Sequence, residues 1–490
     1  MSDVLPAPTD PISTDHTPTD LTTHPWFFCG IGGSGMLPLA LILRGLGATI
    51  AGSDRSRDQG RSPEKFAWLE SLGIVMHPQD GSGVVSADQT LVASAAVENS
   101  VPEVIRAQQL GCARMRRPDL LALLFNAARV RIAVGGTSGK STVTGMIGWI
   151  MTRSGRDPTI MNGAVMKNFV AADAPFASAR VGGGTMDDSV FVSEVDESDG
   201  SIALYRPSVA VLGNVTLDHK SLDELRALFG DFLAEADVAA VNLDDPESAA
   251  LAGRAKALVG FGIASADAQI GVAPGSIVEA ATGLTATILD RRDGSEHALV
   301  LQVPGRHNLA NALAAIAAAS AAGVSMTDAV EALATFAGLS RRFDIIGTSS
   351  GGITVIDDFG HNPDKIAATL ATLRAHPGRI VAFFQPHGYG PLRQMGAELA
   401  QTLAGALTPD DIVIFSDPAY FGGTVDRSVG SAQIVAQIAA AGAHAEHIPT
   451  RAECGDRIVA LTRPGDRIVI MGARDDTLTA FANDVLARLK

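Results

Sequence analysis

Residues 130–144 read Val-Arg-Ile-Ala-Val-Gly-Gly-Thr-Ser-Gly-Lys-Ser-Thr-Val-Thr: a short apolar run, a glycine-rich turn, then the start of a helical pattern that continues to Arg153. A buried strand feeding a helix through so short a turn predicts a βα unit of a mostly parallel sheet. The glycines indicate what the turn is for. Gly136 and Gly139 let backbone N–H groups approach a polyphosphate, and the helix start adds the positive end of its dipole. Lys140 can reach β- and γ-phosphates, and the Ser141 hydroxyl can ligate Mg²⁺. The strict phosphate-loop pattern has a glycine where Val134 stands, so the general motif is missed by one residue.

The rest of the chain alternates short apolar strands with helical stretches, which predicts α/β architecture throughout. With 490 residues and ~100–200 residues per domain, more than one domain is expected. Residues 1–24, rich in Pro, Thr, Asp and Ser, are read as a disordered tail; they lack the charged start and apolar core of a signal peptide. Residues 25–128 form a first, Rossmann-like domain. Residues 129–339 form a central phosphate-loop domain with a mostly parallel sheet. A small antiparallel insert is expected over residues 258–303, with turn signals at Pro274-Gly275 and Asp293-Gly294, followed by an Ala-rich helix. Residues 340–490 form a third, again Rossmann-like domain.

Composition narrows the partners. A formal net charge of −15 gives no broad basic field for nucleic acid or anionic membrane. Cys29, Cys112 and Cys454 show no metal-ligand spacing and cannot complete a disulfide framework, which fits a reducing cytoplasm. The apolar run 26–52 is broken by clustered glycines and Arg44, so it reads as strand–turn–helix–strand and not a membrane span. Small molecules remain as the expected partners.

Several polar segments follow predicted strands, where open α/β sheets bind ligands. The segment 193–200, Ser-Glu-Val-Asp-Glu-Ser-Asp-Gly, offers hard oxygen ligands such as Glu194. Asn214-Val-Thr-Leu-Asp-His-Lys220 follows the next strand. Pro304-Gly-Arg-His-Asn-Leu-Ala-Asn311 opens the Ala-rich helix, where Asn is also an ordinary cap. Ser340-Arg-Arg-Phe-Asp344 precedes the third domain, which contributes Asp357-Asp-Phe-Gly-His-Asn-Pro363 and Phe384-Gln-Pro-His-Gly-Tyr-Gly-Pro-Leu-Arg393. Near the start, Gly30-Ile-Gly-Gly-Ser-Gly35 with Asp54 about twenty residues on is also a dinucleotide fingerprint. An oxidoreductase on that turn would leave Gly-Lys-Ser and the acidic segment unexplained.

Taken in order, these motifs resemble the Mur ligase family, most closely its alanine-adding members, over nearly the whole chain after the tail. The resemblance implies an ATP- and Mg²⁺-dependent, ADP-forming ligase of peptidoglycan precursor synthesis. It would join an amino acid, prototypically L-alanine, to the carboxylate of UDP-N-acetylmuramate through an acyl phosphate. By the same resemblance, Gly136, Thr137, Ser138, Gly139, Lys140, Ser141 and Thr142 hold the nucleotide, with His307, Asn308 and Asn311 on the adenine side and Arg342 and Asp358 nearby. Ser141, Glu194 and His219 bind metal; Lys140, Glu194, His219 and His361 form the catalytic set. Gly32, Gly33, Ser34, Gly35 and Asp54 take the UDP moiety, while Asn214, His387 and Arg393 lie toward the substrates. The chain departs from the alanine-adding pattern at Gly388 and Pro391, where arginines are usual, and at Ser138, where His is usual. A Mur-like ligase for another amine or acid, as in muropeptide recycling, and a non-catalytic nucleotide-binding protein are the alternatives.

Overall fold

The computed structural model describes residues 18–94, 97–183, 188–216, 220–419 and 426–489. The first sheet contains β1 (Pro25–Cys29), β2 (Thr49–Ser53), β3 (Val75–His77), β4 (Thr90–Ala93) and β5 (Ala113–Arg116), all parallel, in the order β3-β2-β1-β4-β5. Strand order reverses between β1 and β4, which opens a crevice at their carboxyl ends. The glycine-rich turn leaves β1 at that crevice and runs into the helix Met36–Gly45. Trp26, Phe27 and Phe28 of β1 are all buried, as expected for a parallel strand covered on both faces. Part of the expected tail is ordered: Pro18–Thr23 is a short helix, Leu21 is buried, and the Trp26 indole N–H donates to the Leu21 carbonyl oxygen at 2.8 Å. Anchoring to β1 overrides the segment's polar composition.

The second sheet contains β6 (Val130–Gly135), β7 (Thr159–Met161), β8 (Ala179–Arg180), β9 (Val190–Glu194), β10 (Val209–Leu212), β11 (Val238–Asn242), β12 (Leu258–Phe261), β13 (Ile270–Val272), β14 (Val278–Ala280), β15 (Gly283–Asp290) and β16 (Ser295–Leu301). Its order is β14-β15-β13-β12-β11-β10-β6-β9-β7-β8, with β16 on β15. The run from β7 to β13 is parallel, while β8, β14 and β15 pair antiparallel to their neighbours. Leu258–Phe261, expected within the antiparallel insert, instead extends the parallel sheet beside β11. Alternation in the sequence marks it as a strand but carries no information on the direction of its neighbour. Over the end of β6 lies the helix Leu222–Glu235, started by a capping box of Ser221 and Glu224. Its Phe229 and Phe232 come so close that a Cβ on Gly135 would sit 3.2 Å from the Phe232 ring.

The third sheet has β17 (Asp344–Thr348), β18 (Thr354–Asp358), β19 (Ile380–Gln385), β20 (Ile412–Phe415), β21 (Ala445–His447) and β22 (Arg467–Gly472), ordered β17-β18-β22-β19-β20-β21. All pairs are parallel except β17 with β18. Chain contacts divide the molecule into one compact unit of residues 1–277, 286–300 and 310–336, and another of 278–285, 301–309 and 337–490. Among the described residues no helix is long and apolar enough to cross a membrane.

Candidate active site

β6 lies between β9 and β10, so three adjacent strands end together. Their carboxyl ends deliver the phosphate loop, the acidic segment after Glu194, and the segment 213–216. Gly136 (φ +122°) and Gly139 (φ +86°) carry the loop through conformations that L side chains avoid. A Cβ on Gly139 would also fall 2.5 Å from Asn311 Oδ1, which places Asn311 against the loop. Gly139 caps the helix Lys140–Arg153. Asn214, at the substrate side by the resemblance, clamps the loop through both ends of its side-chain amide. Its Oδ1 accepts from the Ser138 N–H at 2.9 Å and its Nδ2 donates to the Ser138 carbonyl at 3.0 Å. The Thr137 N–H donates to the Asn214 carbonyl at 3.0 Å, and the Thr216 N–H donates to the Thr137 hydroxyl at 3.0 Å.

Lys140 Nζ is held at both ends of the same stroke. It donates to the Gly136 carbonyl at 2.7 Å and pairs with Glu197 at 2.8 Å, with side-chain exposures of 20% and 9%. The Ser141 hydroxyl donates to Glu194 Oε2 at 2.7 Å, and Asn162 Nδ2 donates to the Ser141 carbonyl at 2.9 Å. Two hard oxygens at that spacing match the roughly 2.9 Å edge of an octahedron with Mg–O bonds of about 2.0–2.1 Å. Gly163 makes room for the carboxylate: a Cβ there would lie 2.3 Å from Glu194 Oε1. Ser141 and Glu194 therefore fit a magnesium ion. His219, the third expected ligand, lies outside the described residues, among which no larger group of metal-type side chains occurs.

In the first sheet Asp54 is turned inward. Its Oδ2 accepts from the Gly32 N–H and its Oδ1 from the Ser56 N–H, both at 2.8 Å, so it fixes the turn and caps the next helix. Gly33 and Ser34 are exposed on the turn's outer side.

The second compact unit carries the remaining candidates. His307 is exposed on the first turn of the helix Arg306–Ala321, and Asn308 is buried with its Nδ2 donating to the Pro304 carbonyl at 2.7 Å. Of the arginine pair, Arg341 is structural: it is buried, donates to the Asp475 carbonyl at 3.0 Å and faces Asp357. Arg342 lies 4.3 Å over the Phe359 ring. Asp358 accepts from the Phe343 and Gly360 N–H groups and the Thr369 hydroxyl at 2.7, 2.8 and 3.0 Å, which ties together three segments of this unit. His361 and His387 meet edge to face, 5.2 Å between centroids. Desolvation, helped by Lys365, pulls His361 down to about 3; desolvation, helped by Arg474, pulls His387 to about 4. His361 Nδ1 lies 3.0 Å from the Phe359 carbonyl oxygen, which can only accept, so Nδ1 carries the proton and Nε2 keeps the lone pair. The pair itself lines a narrow crevice together with Phe384, Pro391, Leu392, Met395 and Leu399. Arg393 is engaged at the surface with Asp426 at 3.1 Å.

Family models match residues 27–129 (Mur ligase family, catalytic domain), 134–319 (Mur ligase middle domain) and 341–474 (Mur ligase, glutamate ligase domain). The chain belongs to the Mur ligase family. It is accordingly an ATP-dependent, ADP-forming ligase. Two curated relatives are UDP-N-acetylmuramate–L-alanine ligases. The one from Streptomyces avermitilis is 35% identical, the match covering 94% of this chain and 97% of the relative. The one from Pelotomaculum thermopropionicum is 34% identical with the same coverage. Among solved structures, the UDP-N-acetylmuramate–alanine ligase of Thermotoga maritima superposes with a TM-score of 0.77 at 24% identity over 94% of this chain and 98% of that one. A murein peptide ligase from Psychrobacter arcticus gives 0.71 at 24% identity, covering 95% and 98%. These likenesses establish the three-domain Mur ligase fold.

Four contributors to this Mur ligase site escape a sequence reading. Glu197 stands in the acidic segment, but only adjacency of β6 and β9 brings it to Lys140. Asn162 and Gly163, which support Ser141 and accommodate Glu194, follow β7 without any motif. Arg117, at the start of the helix Arg117–Asn126, lies against Gly35.

Proposed function

We propose that this Mur ligase joins L-alanine to UDP-N-acetylmuramate in peptidoglycan precursor synthesis, in the cytoplasm, with ATP and Mg²⁺. The observation that carries the chemistry is the Ser141–Glu194 pair beside Lys140 on a glycine-built loop. The substrates are argued from the named relatives, which align over nearly the full length of both chains.

The nucleotide's phosphates lie along Gly136–Thr142, with backbone N–H groups and Lys140 neutralising charge as it develops. A magnesium ion on Ser141 and Glu194, with His219 as a further ligand, would neutralise β- and γ-oxygens. The muramate carboxylate oxygen forms a bond to the γ-phosphorus as the β–γ bridging bond breaks, giving an acyl phosphate and ADP. The amine nitrogen, after its ammonium form has lost a proton, then bonds to the acyl carbon and phosphate leaves. His361, whose Nε2 lone pair is free, is assigned to accept a hydrogen bond from the amine and orient it; burial that holds its pKa at about 3 keeps it from retaining the proton. His307, Asn308, Asn311 and Arg342 are assigned to the nucleotide and Arg393 and His387 to the incoming amino acid.

A second reading keeps the acid and changes the amine. Gly388 and Pro391 remove two basic groups, and the adjoining crevice is lined mainly by apolar side chains. Phosphate release from ATP and Mg²⁺, with UDP-N-acetylmuramate and a panel of amino acids, separates the two. Release requiring L-alanine, and absent in Lys140→Ala, supports the first reading; release with another amino acid alone supports the second. No release with any amino acid would overturn both.

A further inference from the structure

Arg117 makes no hydrogen bond within the described residues, although its side chain is only 19% exposed. None of its nitrogens is among the fully buried polar atoms, so the guanidinium reaches solvent at the rim of the turn with its N–H donors open to an incoming acceptor. The nearest carboxylate is Asp199, at 3.9 Å, beyond hydrogen-bond length. The guanidinium is instead laid against the glycine-rich turn. A Cβ built on Gly35 would lie 3.1 Å from Arg117 Cδ and 3.3 Å from its Nη1, so the residue there must be small for the arginine to lie where it does. On the turn itself, the N–H groups of Ser34 and Gly35 have no acceptor among the described residues, whereas those of Gly32, Gly33 and Met36 are all used internally. Open backbone donors and a forked cation thus converge where β1 ends. That geometry suits a phosphate, which accepts a guanidinium through two parallel bonds.

We propose that Arg117 is a substrate-binding residue that grips a phosphate of the sugar nucleotide's diphosphate against the Ser34–Gly35 turn, with Asp199 as its partner while that phosphate is absent. The inference rests on the reading of the first substrate as a UDP-sugar. It adds a consequence: Asp199 lies two residues beyond Glu197, which pairs with Lys140, so the arginine ties the sugar-nucleotide turn to the acidic segment of the ATP site.

The test is calorimetric binding of UDP to the full chain at several salt concentrations, with Mg²⁺–ADP binding as the control. Arg117→Ala is expected to weaken UDP about 10- to 100-fold and to flatten its salt dependence, with Arg117→Lys intermediate and ADP binding within about twofold of wild type. An unchanged UDP affinity in Arg117→Ala overturns the proposal. So does an equal loss of UDP and ADP, which would mean a purely structural role. If Arg117→Ala does not fold, Arg117→Lys decides: a charge kept without the fork should still lose UDP affinity selectively. A wild-type chain that binds ADP but not UDP would remove the substrate reading itself, and this inference with it.

Discussion

At the scale of single residues, the two histidines of the third sheet are neutral near pH 7, because burial opposes their charging. Their folded values, about 3 and about 4, lie below the ordinary 6.5, so the unfolded chain binds more protons between those limits. Stability contributed this way is present above about pH 6.5 and is lost as pH falls toward the folded values. For His361 the slope is at most about 1.4 kcal/mol per pH unit. Melting measured at pH 7 and pH 5 should show His361→Gln losing less on acidification than the wild type; equal losses would contradict the burial argument. Residue identities were the most legible layer. Lys140, Ser141 and Glu194 follow from local chemistry, since the loop's geometry is written in its own glycines. The contacts of Asp54 to Gly32 and of Asn214 to Ser138 were not legible, because those partners are set by how strands lie side by side.

At the scale of elements, the phosphate loop keeps its shape through the segment after β10. The Asn214 amide supplies two hydrogen bonds to Ser138, and its carbonyl a third to Thr137. Asn214→Ala removes the side-chain pair and should raise KM for ATP about tenfold, at a typical net cost of about 1–1.5 kcal/mol. Steady-state kinetics with a melting control checks this: a KM unchanged from wild type would mean the loop holds itself. Strand positions were readable from apolar runs, and the β6 turn from glycine spacing. Direction and neighbours were not, as Leu258–Phe261 shows by pairing parallel to β11. Pairing is decided by chain segments far apart, to which no local pattern refers.

At the scale of the molecule, the first sheet and the parallel part of the second fall within one compact unit, and side chains join them. The Trp68 indole, from beside the first sheet, donates to the Asp173 carbonyl at 2.8 Å and its ring meets Phe176 at 5.5 Å. A nucleotide bound to the loop should therefore stabilise both sheets together. At a hundred times its dissociation constant, Mg²⁺–ADP adds about 2.7 kcal/mol to the state that binds it. Calorimetry should show the transition of the unit holding residues 25–277 moving upward as one. A shift confined to part of that unit would show that the two sheets unfold separately.

The Lys140–Glu197 pair means that the protein without nucleotide is not a blank reference state. The lysine already has a resident counterion, so an arriving anion must outbid an internal carboxylate, and measured affinity is the difference between two grips. A single weakly charged anion gains little from that exchange, whereas a triphosphate brings enough charge to win it. The expected consequence is discrimination by the loop against small anions. Glu197→Gln should bind inorganic phosphate more tightly than the wild type does; equal affinity would show that the counterion exerts no such selection.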